Sequence, residues 1–186
     1  MTGPSGAGKG TLIRELIERM PELEATISAT TRDRRPGELD GREYWFLGPD
    51  EFLARIEADA FLEHIRYVSG HRYGTLRSEL DRIRGHGHVP LLELETEGAR
   101  HVKADDPGAV TIFVSAAVDE LERRLRERDT ESTGEIGERI ALAREQLEEA
   151  GRFDFVIEND ELERAVEELT ELARGLLAPA GTISPR

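Results

Sequence analysis

Within its first eleven residues, MTGPSGAGKGT, the chain sets Gly3, Gly6, Gly8 and Lys9 in the order G-x4-G-K. Pro4, Ser5, Ala7 and Gly10 complete a run of small residues. Such a run lets backbone N–H groups turn inward around a phosphate while the lysine ammonium reaches the outer oxygens. The segment after it, KGTLIRELIERM, is apolar at Leu12, Ile13, Leu16, Ile17 and Met20, and Pro21 follows. It predicts a helix whose positive dipole end faces the same anion and which Pro21 ends. Gly10 stands where a hydroxyl residue usually follows the lysine, and Thr11 carries that hydroxyl one place later. A phosphate loop normally leaves a buried strand, yet only Met1 and Thr2 precede Gly3. The leading strand is therefore missing from the inventory, and the reading expects it in coding sequence upstream of a start placed too late.

Behind the loop, strands and helices alternate. ATISATTR reads as one short strand entering a basic loop, and residues 32–43 as a loop or hairpin rich in glycine and proline turn signals. EYWFL is β-prone. PDEFLARIEADAFLEH reads as one helix starting at Pro49 or Asp50, IRYVSGHRYGT as a β-pair around Gly70, and TLRSELDRIRG as a helix. HVPLLELE reads as the clearest buried strand, with Glu93 at its end, and AVTIFVS as another core strand. Helices are expected over EGARHVKA, VDELERRLRERD, roughly 134–150 and ELERAVEELTELARGLL, with FDFVIEND a strand between the last two. This alternation predicts an α/β architecture, a parallel sheet flanked by helices with ligands at the strand C-termini.

A length of 186 residues fits one domain with a substantial core. The absence of cysteine excludes disulfides and thiolate metal sites and is compatible with a cytoplasmic protein. A net charge of −14 argues against nucleic acid and against an anionic membrane as partner, and no apolar run is long enough to span a bilayer. Positive charge is local instead: Arg32, Arg34 and Arg35 form one cluster, and Arg123, Arg124, Arg126 and Arg128 another. The five histidines show no metal-ligand spacing, and GHGH at 85–88 reads as a loop.

Later motifs are more specific. GPSGAGKGT, SATTR-x2-R-x-GE-x-DG-x2-Y-x-F, FLE, YGT, an acidic strand end, RLRERDT and FDFVIEND occur in the order and near the spacing of the guanylate kinase family. The chain resembles that family over nearly its whole length. The resemblance implies a P-loop NTPase-type α/β fold forming a single domain over 1–186. It also implies a small GMP-binding α+β lobe over about 32–78, a helical lid over about 119–145 and a frayed tail at 178–186.

The activity implied is ATP-dependent phosphorylation of GMP, and of dGMP, to the diphosphate, with Mg2+ accompanying ATP. Elementary chemistry agrees. A phosphate acceptor is already largely ionised near neutral pH, so no base is needed, and the obstacle is repulsion between two anions. By resemblance, Lys9, Arg32, Arg35, Arg124, Arg128 and Arg139 supply the cations that offset it. ATP would be held by residues 3–11 and Asn159, for which helix capping is the rival role. GMP would be held by Ser28, Arg32, Arg35, Tyr44, Glu63, Tyr73, Thr75 and Glu95. The two acids accept from the N1 and N2 donors of guanine, which adenine cannot offer in that pattern. Thr11 and Glu93 are candidates to reach Mg2+ through water. Glu95 stands where the family usually has aspartate, Asp129 where glycine is common, and Ser115–Ala117 replaces a proline-containing turn. Trp45 is expected to pack inside the acceptor lobe, and Arg34 to be solvated. Two rival functions remain at this point: a catalytically silent guanylate-kinase-like binding module, and a related sugar-phosphate kinase. Retention of Lys9, Arg32, Arg35, Glu63 and Tyr73 weighs against the first, and the Glu63–Thr75 arrangement against the second.

Overall fold

The computed structural model of the chain describes residues 1–67, 70–128 and 133–178, with the backbone alone at 128 and 133–136. Its elements run α1 (Lys9–Arg19), β1 (Leu23–Ala25), β2 (Ala29–Thr30), β3 (Trp45–Phe46), α2 (Pro49–Glu57), β4 (Phe61–Arg66), β5 (Arg72–Leu76) and α3 (Arg77–Gly85). They continue as β6 (Val89–Leu91), α4 (Thr96–Asp105), β7 (Ile112–Ser115), α5 (Val118–Arg128), α6 (Thr133–Glu148), a 3-10 turn at Ala150–Arg152, β8 (Phe155–Glu158) and α7 (Leu162–Leu177). The architecture is α/β, with mixed parallel and antiparallel sheets flanked by helices. It divides into one unit of Met1–Met20 with Thr111–Arg186 and a second of Pro21–Val110. Among the described residues no helix is long and apolar enough to cross a membrane.

In the first unit β7 and β8 pair in parallel, from Ile112 opposite Phe155 to Ser115 opposite Glu158. Thr2 joins the other edge of β7: its N–H donates to the Ile112 carbonyl at 2.8 Å and its carbonyl accepts from the Val114 N–H at 2.7 Å. The residue just before the phosphate loop is thus tied into a parallel ladder. A Cβ on Gly3, whose φ is 141°, would stand 2.2 Å from the Val114 carbonyl oxygen, so only glycine lets the loop leave that ladder. Phe113 and Val114 are fully buried, as the AVTIFVS run predicts. On α7 the buried residues Ala165, Val166, Leu169, Thr170 and Ala173 recur at helical spacing and form one apolar face.

In the second unit β1 and β6 form a parallel pair, and β3-β2-β5-β4 form a mixed sheet in that order. Ala29, Phe52, Phe61 and Leu76 make its core, with Trp45, Leu47, Ile56 and Ala60 packed against it. Phe52 and Phe61 stack with centroids 4.4 Å apart.

Four readings need correction here. ATISATTR is not one strand: it splits into β1 and β2, because the Ile27 N–H between them goes to the Glu79 carboxylate at 3.0 Å rather than to a strand partner. PDEFLARIEADAFLEH is not one helix. It stops at Glu57, Asp59 takes a positive φ of 51°, and the Ala60 N–H folds back to the Arg55 carbonyl at 2.9 Å. Beyond that stop the period changes to two, Phe61 and Glu63 being buried with less buried neighbours between them. Thr75 and Leu76 end β5 instead of opening α3. HVPLLELE supplies only Val89–Leu91 to a strand, with Val89 exposed, and Pro90 has no N–H to donate to a further strand. Glu93 accordingly sits exposed in the loop beyond β6, not at the end of a buried strand.

Candidate active site

The phosphate loop is held from several sides within the first unit. Gly8 is left-handed (φ 85°) at the N-cap of α1, and no side chain caps that end. Its first-turn N–H groups are therefore left to a partner other than a capping side chain, as an anion-binding end would be. Lys9 curls back so that Nζ donates to the carbonyls of Gly3 at 2.7 Å and Pro4 at 3.2 Å. Asn159, only 3% exposed, donates from Nδ2 to the Ala7 carbonyl at 2.7 Å. A Cβ on Gly8 would meet that Nδ2 at 2.4 Å, so glycine is required on this side of the loop as well. The Asn159 Oδ1 is buried and has no hydrogen-bond partner among the described residues. Asn159 is not a helix cap: α7 has Glu161 at that position, with no side-chain cap.

Two of the expected arginines join this assembly. Arg124, on α5, donates from Nη1 to the Gly6 carbonyl at 3.3 Å and from Nη2 to the Asn159 carbonyl at 3.0 Å. Its Nε donates to Glu120 at 2.6 Å, so the i,i+4 pair and the loop contact coexist in one side chain. Arg139, on α6, donates to the Ser5 hydroxyl at 2.7 Å. Gly6, Gly8, Thr11, Arg124, Glu127, Asn159 and Leu162 line a cavity of about 260 Å³. The Arg128 side chain, Asp129 and residues 179–186 of the tail lie outside the described residues.

The second unit gathers most of the acceptor set. Glu63 on β4 faces Thr75 on β5 across the antiparallel pair, and the Thr75 hydroxyl donates to Glu63 Oε1 at 2.9 Å. Glu63 is 8% exposed, and burial raises its carboxyl pKa above the ordinary value, with the nearby Glu95 charge adding to the rise. Glu95 is half-buried at the N-cap of α4. A Cβ on Gly98, in the same helix, would stand 2.7 Å from Glu63 Oε2, so a small residue there leaves the carboxylate its room.

Arg32, Tyr44 and Tyr73 form a second group. Arg32 Nη2 donates to both Glu38 oxygens, at 2.8 and 3.0 Å, and Nη1 to the Asp33 carbonyl at 2.6 Å. Its guanidinium carbon lies 5.4 Å from the Tyr44 ring centroid and 5.6 Å from that of Phe46. The Tyr44 and Tyr73 rings meet edge-on at 6.0 Å, and burial raises the Tyr44 pKa. Arg32 is thus fixed by a planar acid partner and two aromatic faces, an arrangement lysine could not copy. Arg35 and Arg34 are exposed, and Ser28 is half-buried between β1 and β2, its carbonyl accepting from the Trp45 N–H at 2.9 Å.

The residues alone did not reveal Glu38 or Glu79. Glu79 is 3% exposed and accepts from the Ile27 N–H, from Trp45 Nε1 at 3.1 Å and from Arg82. Burial pushes its carboxyl up, but these hydrogen bonds outweigh it and hold the pKa below the ordinary value. The available signal was spacing: Glu79 shares a helix face with Ile83, four residues on, and both are buried.

Comparison with known proteins agrees with this geometry. The guanylate kinase family model matches residues 1–175. A guanylate kinase of Synechococcus sp. is 47% identical over 173 residues, covering 92% of this chain and 79% of the relative. One of Rubrobacter xylanophilus is 44% identical over 179 residues, covering 96% and 93%. The crystal structure of guanylate kinase from Anaplasma phagocytophilum superposes with a TM-score of 0.77 at 24% identity, over 96% of this chain and 85% of that one, a likeness of fold. A phosphate loop clamped by buried Asn159, a buried acid beside a threonine and these matches lead to one conclusion: the chain belongs to the guanylate kinase family.

Proposed function

We propose that the chain transfers the γ-phosphoryl group of ATP to GMP, and to dGMP, in line and without a catalytic base. The observation that carries this reading is the buried Glu63 with its Thr75 partner: a carboxylate so placed accepts from the N1–H and N2–H edge of guanine. A site committed to those bonds rejects adenine, whose N1 is an acceptor, because its own polar groups would be left unpaired. The Arg32–Tyr44–Tyr73 group, in the same unit, takes the acceptor phosphate, with exposed Arg35 free to add a second fork. On the donor side, nucleotide phosphates replace the Gly3 and Pro4 carbonyls as partners of Lys9 Nζ. Arg124 and Arg139, already anchored to the loop, add positive charge that offsets the negative charge on the oxygens of the transferring group. The unpartnered Asn159 Oδ1 suits the amino group of adenine.

The donor set also fits a magnesium nucleotide. Thr11 lines the same cavity as Gly6 and Gly8 and offers one neutral oxygen, phosphates and water supplying the rest. Bound with ATP, the ion neutralises charge on the β- and γ-phosphates. Glu93, exposed beyond β6, would act only through water. A cytoplasmic location goes with this reading.

Supplied with Mg-ATP and a choice of GMP, dGMP, AMP and ribose 5-phosphate, the protein is expected to make GDP and dGDP and to leave the other two unchanged. Preference for the sugar phosphate, or no product at all, overturns the assignment. Lys9→Met is expected to lower turnover by about a hundredfold or more while GMP binding, read by calorimetry, is retained. Wild-type-like turnover in that variant would remove Lys9 from the mechanism.

A further inference from the structure

We propose that Glu24, His86 and His88 form a binding site for a transition-series divalent cation such as Zn2+, separate from the nucleotide machinery. Glu24 is remote in sequence from His86 and His88, and the GHGH segment alone gives no ligand spacing. Folding brings Glu24, on β1, against the turn between α3 and β6. His88 Nδ1 lies 2.7 Å and His86 Nδ1 3.3 Å from the same Glu24 oxygen, Oε2. All three ligand atoms fall within 4.8 Å of one another. The two imidazole planes are 80° apart, so they approach that oxygen from different directions instead of stacking.

Zinc bonds of about 2.0–2.2 Å place neighbouring tetrahedral donors roughly 3.3 Å apart. His86 already stands at that distance from the carboxylate, and His88 needs only a small outward rotation. Two neutral imidazoles and one carboxylate suit zinc and its neighbours in the series, whereas magnesium prefers oxygen alone.

The frame is rigid where ligands require it. Glu24 is paired with Pro90 in the β1–β6 ladder. The His86 N–H donates to the carbonyls of Arg82 and Ile83, and the His88 N–H to that of Ile83. Arg82 hydrogen-bonds Glu24 Oε1 and is itself held by Glu79, which leaves Oε2 for the imidazoles and fixes the carboxylate plane. Outer partners of this kind keep metal ligands oriented. The His86 imidazole is exposed and His88 is half-buried, so an ion enters from solvent on the His86 side. None of the three ligands belongs to the donor or acceptor sets.

The test is titration of the nucleotide-free protein with ZnCl2, followed by calorimetry and by the imidazole ring signals in NMR. One equivalent is expected to bind, shifting the signals of His86 and His88 and leaving those of His64 and His71 in place. His86→Ala/His88→Ala is expected to weaken binding by more than about tenfold, while His64→Ala/His71→Ala leaves it unchanged. Thermal midpoints confirm that both variants are folded. Absence of zinc binding, undiminished binding in the first variant, or shifts confined to the other histidines would each overturn the proposal. None of these outcomes depends on kinase activity.

Discussion

The carboxylate of Glu63 has lost most of its water and is held by Thr75, whose hydroxyl donates to it at 2.9 Å and whose backbone N–H also contributes. Burial disfavours its charged form, so its pKa lies above the ordinary 4.5, yet the proposed contact with guanine needs that charge. KM for GMP should therefore rise on acidification at a higher pH than an exposed glutamate would dictate, with KM for ATP unmoved. Glu63→Gln should raise KM for GMP about tenfold or more, the scale of a lost charged hydrogen bond of about 1.5–3 kcal/mol, and flatten that pH dependence. An unchanged KM would remove Glu63 from the site. The stability effect has the opposite sense. A raised folded pKa means the native state binds the proton more tightly, so Glu63 favours folding at low pH and loses that contribution as pH rises from 4.5 through the folded value. The amide variant should accordingly gain thermal stability relative to the parent between pH 5 and pH 8. The FLE motif singled out this residue although the element around it was misread as helix; the structure buries it on β4 beside Thr75.

Among the elements, α3 ties separated segments together through Glu79. Ile27 N–H, Trp45 Nε1 and Arg82 converge on one buried carboxylate, and Ile27 and Trp45 flank Ser28 and Tyr44 in sequence. Glu79→Gln would set an amide N–H2 against one of these donors. It should cost about 1–3 kcal/mol, read as a lower urea midpoint, and raise KM for GMP more than KM for ATP. Equal changes in both constants would mean general loosening. The errors at this scale have separate causes. FLEH fits a helix or a strand equally by pattern, and what decided it was the left-handed Asp59 that ends α2, whereas LLELE reads as strand but leaves the ladder after Leu91.

Taken whole, the molecule carries a net charge of −14 beneath many short-range ion pairs. Arg55–Glu51, Arg123–Glu127 and Arg164–Asp160 are exposed pairs one helical turn apart, and such pairs contribute little to stability. Self-repulsion acts over longer distances and is screened first by salt. Raising NaCl from about 0.05 to 0.5 M should therefore raise the thermal midpoint, and a fall would mean that the local pairs dominate. The amino-acid order by itself settled the glycine-rich turn before α1, the α1 and α7 stripes and the buried β7. Each of those is local: a glycine at a forced turn, or an apolar period. Only the tertiary structure decided that Asn159 clamps Ala7, that Glu38 orients Arg32, that Glu79 gathers three donors and that Glu24 meets two histidines. Such meetings depend on chain closure over tens of residues, and sequence spacing does not encode which polar groups burial will force to find one another.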